Sequence, residues 1–140
     1  MRKTTLGCVL SSAVLRRFRL WQYRDPGANC SDFVAAFLAA FTSLQPDDYP
    51  VGVITASDVL GKARAHARVS QLFEPCQPRD FALACQYVGR VFVHVGVVYQ
   101  GKVWHTSGST GTVVDSIQQF KQRGQQCAGG TQFWIHKKLI

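Results

Sequence analysis

The clearest pattern in the chain is a stripe. Between residues 30 and 42, Phe33, Val34, Phe37, Leu38 and Phe41 recur at the three- and four-residue spacing of one helix face. Asn29 before it is a good N-cap, and Asp32 places a negative charge in the first turn, where the helix dipole favours one. A helix is therefore expected from Cys30 to about Thr42. The loop "LQPDDYPVG" follows. "TASDVLGKARAHARVSQLF" then predicts a second helix, interrupted at Gly61 and ending near "EPCQP". After that the period changes to two. Residues 80–84, 91–99, 102–107, 112–116 and 132–140 are rich in β-branched and aromatic side chains and are separated by Gly or Pro. Helices first and a meander of strands afterwards predict an α+β fold, with an antiparallel sheet packed against N-terminal helices.

With 140 residues, 46% apolar and 17% charged, the chain is expected to form a single domain over 1–140 with its own core. No stretch reaches the roughly 18–20 apolar residues of a membrane span, so no stable membrane insertion is expected. The start, "MRKTTLGCVLSSAVLRRFRL", has the basic opening and apolar run of an export signal. "RRFRL" stands where a small-residue cleavage site belongs, so the segment is read as amphipathic, not as a signal peptide. A protein made in the cytoplasm follows from that reading.

The net charge of +8 suggests an anionic partner: nucleic acid, membrane or cell-wall polymer. The basic residues are spread out, and the densest runs, "LRRFR" and "KARAHAR", carry no nucleic-acid signature. Arg64 and Arg68, four apart, read as a solvated helix face. No nucleic-acid partner is expected. The five cysteines, Cys8, Cys30, Cys76, Cys85 and Cys127, show no CxxC and no zinc spacing, which argues against a disulfide framework and a structural metal. Four of them read as buried or incidental; Cys30, where a Gly/Pro-marked loop turns into the apolar helix, does not.

Two histidines give that thiol a context. If Gln100 and Gly101 form a two-residue turn, Tyr99 pairs with Lys102, Val97 with Trp104 and Gly96 with His105. His94 and His105 then share a face as diagonal neighbours, about 7 Å apart. Gly96, opposite His105, is expected to leave open space beside both rings. A three-residue loop would turn His105 to the other face, and a pair of half-buried histidines satisfied by hydrogen bonds is the alternative without function. A helix N-terminus and a nearby imidazolium lower a thiol's pKa, so Cys30 is a candidate nucleophile, His94 its base and His105 the residue that orients the base. Backbone N–H groups of the first helical turn are candidates for an oxyanion hole.

These residues resemble the motifs of the NlpC-type family of papain-like cell-wall cysteine peptidases. "NCSDFV" is similar to the family's Asp-Cys-Ser-Gly-Phe-Val at Cys30, Ser31, Phe33 and Val34. "HVGVVY" resembles its base strand and carries the base onto His94. "VWHTSGSTGTVV" resembles the next strand and carries the third polar residue onto His105, while "PRDFALA" stands where the family has Gly-Asp-Leu-Val. The resemblance extends from about Tyr23 to Ile140. It implies a papain-like fold, cleavage of peptidoglycan stem peptides through a thioester, and no metal or organic cofactor.

The chain departs from the pattern at Asn29, at Asp32 beside the nucleophile, and at Arg79 before Asp80. A carboxylate at Asp32 opposes thiolate formation unless it points to solvent or caps the helix. Tyr23 resembles an aromatic residue upstream of the family's nucleophile, at a shorter offset. Compact proteins of this resemblance occur at bacteriophage tail tips, which implies a virion location and other tail-tip proteins as partners. A toxin-like effector and a wall enzyme with an unrecognised signal are alternatives. So are a tail-assembly or tail-plug protein with an inactive peptidase fold and a thioester-forming acyltransferase. Trp21 and Trp134 are expected to be exposed and available to a partner.

Overall fold

The computed structural model describes residues 5–25, 27–49, 58–88, 91–108, 111–124 and 130–140. The elements run α1 (Thr5–Arg19), α2 (Cys30–Phe41), a 3-10 turn (Pro46–Asp48), α3 (Val59–Leu72), β1 (Phe73–Pro75), β2 (Leu83–Val88), β3 (Val91–Tyr99), β4 (Lys102–Ser107), β5 (Gly111–Ser116), α4 (Ile117–Arg123), β6 (Gly130–His136) and a closing 3-10 turn (Lys137–Leu139). All strands lie in one six-stranded sheet of order β1-β6-β2-β3-β4-β5, and every pairing is antiparallel. The expected α+β architecture is present. No helix among the described residues is long and apolar enough to cross a membrane.

The sheet is buried on both faces. On one, Leu83, Cys85, Tyr87, Val95, Val97 and Trp104 pack with Phe33, Val34, Phe37 and Leu38 of α2, Phe18 of α1 and Ala65 and Val69 of α3. On the other, Ala84, Val98, Val103, Phe133 and Ile135 pack around Phe120 of α4. Burial on two faces explains why β2 is buried at every position from Leu83 to Tyr87 instead of alternating. The N-terminal segment docks through Phe18, whose carbonyl accepts a hydrogen bond from Thr112 on β5.

The structure corrects several local expectations. The helix after the loop is not interrupted at Gly61. Asp58 is its N-cap and accepts a hydrogen bond from Gly61 N at 2.8 Å, and a Cβ at Gly61 would lie 2.2 Å from the Asp58 carboxylate. The glycine makes room for its own cap. The expected start of that helix at residues 55–57 lies outside the described residues. The first of the expected strands begins at Leu83, not Asp80. Phe81 takes a φ of 67°, and the Asp80 carboxylate accepts the Gln100 N–H across the hairpin end at 2.8 Å. Phe73–Pro75, read as a helix end and loop, is an edge strand, where a proline is tolerated. Ile117–Arg123 was not expected to be a helix at all.

The hairpin at Gln100-Gly101 has the anticipated register: Tyr99 pairs with Lys102 and Val97 with Trp104. Both central residues have positive φ, 52° and 76°, as a type I′ turn requires. Gly96 does not leave open space. A Cβ there would lie 2.7 Å from Val103 Cγ1 and 3.0 Å from both His105 Cβ and Trp104 O, so the glycine permits close approach of β4 at His105. Gly96→Ala is expected to cost about 1–3 kcal/mol by overpacking and to displace His105. Chemical denaturation measures this, and an unchanged stability would show that β4 yields without cost.

Candidate active site

Cys30 opens α2 behind a full capping box. Asn29 Oδ1 accepts from Asp32 N at 3.3 Å, and Asp32 Oδ2 accepts from Asn29 N at 3.0 Å. Asn29 also donates through Nδ2 to Asp25 at 3.1 Å, which ties the preceding loop to the cap. The Asp32 carboxylate beside Cys30 is thus occupied as a cap.

The thiol is half-buried, and burial pushes its pKa up. The backbone N–H of Val95, the charge of Lys62 and the N–H groups of Ser31 and Cys30 itself oppose that shift without reversing it. This corrects the expectation of a lowered thiol pKa: desolvation outweighs the helix terminus. Val95 is the strand neighbour of His94, so the sulfur sits against the β3 backbone beside the candidate base. No hydrogen bond joins Cys30 to His94 among the described residues.

His94 sits at an irregularity. Gln86 pairs with His94 and the next pair is Tyr87 with Phe92, so β3 carries an extra residue, Val93, before the histidine. A bulge of this kind re-aims the neighbouring side chain. His94 Nε2 meets His105 Nδ1 at 3.0 Å, with ring centroids 5.1 Å apart. The two histidines expected to share a face are in direct contact. Burial pushes the His94 pKa down to about 3, helped by His105 and Lys62 and opposed by Asp115. Burial also lowers that of His105, against the Asp115 hydrogen bond. Both rings are neutral at neutral pH.

Two residues behind them were not anticipated from the sequence. His105 Nε2 lies 2.7 Å from Asp115 Oδ2, and Asp115 accepts a two-pronged contact from Arg123, Nε to Oδ2 at 2.6 Å and Nη2 to Oδ1 at 3.0 Å. Asp115 is buried while Arg123 is exposed. α4 supplies both Arg123 and Phe120, whose ring packs against His105 at 4.9 Å and His94 at 6.0 Å. Gln86 Nε2 anchors that helix by donating to Phe120 O at 2.9 Å. The signal for α4 was present in "SIQQ": Ser116 and Gln119 form a capping box.

No model of a known protein family matches the chain, and no curated protein matches it.

Tyr23 lies near the thiol. Its ring approaches Gly108, and burial, Asp25, Cys30 and Asp32 together push its hydroxyl pKa up. Among the other cysteines, Cys85 is buried and Cys76 half-buried. The Cys8 side chain and Cys127 lie outside what the structure describes. Trp21 and Trp134 are half-buried, not exposed: Trp21 stacks on Phe18 and donates Nε1 to Ala28 O, and Trp134 packs on His66. Neither is a free partner surface, because each ring completes the core.

Proposed function

We propose that the chain is a cysteine peptidase of the NlpC type, with a papain-like fold, that cleaves amide bonds in peptidoglycan stem peptides. The observation that carries this reading is the bonded His94–His105 pair, whose His94 lies on the strand, β3, that also contacts the Cys30 sulfur. In the reaction, Cys30 Sγ attacks the amide carbonyl as His94 takes the thiol proton. The C–N bond breaks with that proton delivered to the leaving amine. Water then hydrolyses the thioester and restores the thiol. The motif resemblance further supports a place at the tip of a bacteriophage tail, among other tail-tip proteins.

The test is release of new amino groups from purified peptidoglycan by the protein and by a folded Cys30→Ala form. Activity confined to the thiol-bearing protein supports the proposal. The upward-shifted thiol favours a second reading, a tail-assembly protein that keeps the fold without the chemistry. No release by either form, on several wall types, would select it.

A further inference from the structure

We propose that Asp115 is a positioning residue that fixes the proton on both histidines, so that His94 presents Nδ1 to the thiol as an unprotonated acceptor. The inference rests on the reading of His94 as the base for Cys30.

The argument begins at the carboxylate, which only accepts hydrogen bonds when ionised. Burial works against ionisation of Asp115, but the hydrogen bonds from Arg123 and His105 outweigh it and hold the carboxyl below its usual range. His105 Nε2, 2.7 Å from Oδ2, must therefore carry its ring proton. A neutral imidazole has one N–H, so His105 Nδ1 is a lone pair. His94 Nε2, 3.0 Å from that lone pair, must then carry the His94 proton. His94 Nδ1 is left as the basic nitrogen.

Without the carboxylate the two rings have a second arrangement of equal hydrogen-bond count. His105 Nδ1–H would donate to His94 Nε2, and His94 would turn a protonated Nδ1 towards the thiol. That arrangement cannot accept the thiol proton. Asp115 removes the degeneracy, and the supports around it hold the geometry. The Arg123 fork fixes the carboxylate plane, and Phe120 crosses the His105 ring at 80° and stacks on His94 at 29°. Arg123, at the exposed end, supplies the counter-charge that keeps Asp115 an acceptor.

The deciding experiment reads proton positions directly, in nitrogen-15 spectra of the imidazole rings of the folded Cys30→Ala protein at neutral pH. His94 and His105 are both expected to be neutral and protonated at Nε2. A proton on Nδ1 of either ring overturns the proposal. In the same background, Asp115→Leu is expected to give Nδ1–H forms or exchange between the two arrangements. Asp115→Asn keeps an acceptor oxygen at the same place and is expected to retain the Nε2–H pattern. A folded Leu form with the register intact, or an Asn form that loses it, also overturns the proposal. If the Leu form does not fold, the parent spectrum and the Asn form still decide. On peptidoglycan, Asp115→Leu is expected to lower kcat by about 10²–10⁴-fold with KM little changed, the range of lost general-base catalysis. Because the spectra come from a protein without the Cys30 thiol, absence of peptidase activity would count against the proposed function, while the proton placement set by Asp115 on the two rings is decided by the spectra alone.

Discussion

Replacing Cys30 with alanine is expected to abolish amide cleavage, lowering the rate by at least about 10³-fold, because the attacking atom itself is removed. The pH dependence of the native thiol is as informative as its loss. Burial pushes the Cys30 thiol above its ordinary value of 9.0. Burial also pushes His94 down to about 3. At rest the two groups are a neutral thiol and a neutral imidazole, so in the proposed reaction the proton would move only as the sulfur attacks. Alkylation of Cys30 by iodoacetamide, with labelling of the Cys30→Ala form subtracted, is therefore expected to rise continuously through about pH 9. A plateau below about pH 7 would instead reveal a preformed thiolate–imidazolium pair, and the neutral resting state would be wrong.

Much of this site was legible in the sequence, because its decisive pieces are local. The α2 stripe needs only helical spacing, and Asn29 and Asp32 mark its start without reference to anything distant. The His94–His105 contact needs only a turn length, and Gln100-Gly101 is short enough to specify the register. The same reasoning on β4 and β5 would have placed Asp115 on the face of His105, since His105 pairs with Val113 and Val103 with Asp115. The connection there gives no comparable turn signal, so the register could not be set in advance. Arg123 was hidden because α4 is a seven-residue helix in a region dominated by strands, where a capping box is the only cue. The electrostatic sign at Cys30 was hidden for another reason. Helix termini are visible in sequence, but the desolvation that overrides them depends on how tightly β3 closes over the sulfur.

The second large effect is a loss of stability in mild acid. All four histidines of the chain, His66, His94, His105 and His136, have pKa values lowered by burial in the folded state. The unfolded chain therefore takes up these protons first. The stability tied to the neutral rings is complete above about pH 6.5 and falls as pH drops through the window between the unfolded and folded values. For His94 that window runs from 6.5 to about 3. Its slope is about 1.4 kcal/mol per pH unit. The lowered carboxyls of Asp48 and Asp115 add a further loss at lower pH, as they too become protonated. Urea midpoints are expected to fall steadily between about pH 7 and pH 5, and to fall less steeply in His94→Gln. A midpoint independent of pH over that range would mean that the rings are hydrated in the folded protein in solution.

The spacing of the relay has a consequence for how the protein assembles. Its links join residues only 11, 10 and 8 positions apart. Such loops close at little entropic cost, and the strands that carry them are sequence neighbours. Cys30 belongs to a helix far earlier in the chain and meets β3 through the packing of α2 on the sheet. The contacts among His94, His105, Asp115 and Arg123 are thus local in sequence, whereas Cys30 joins them only through a long-range packing of α2 on the sheet. Conditions that undock α2 would take the sulfur away from the histidine pair and open the core beneath it.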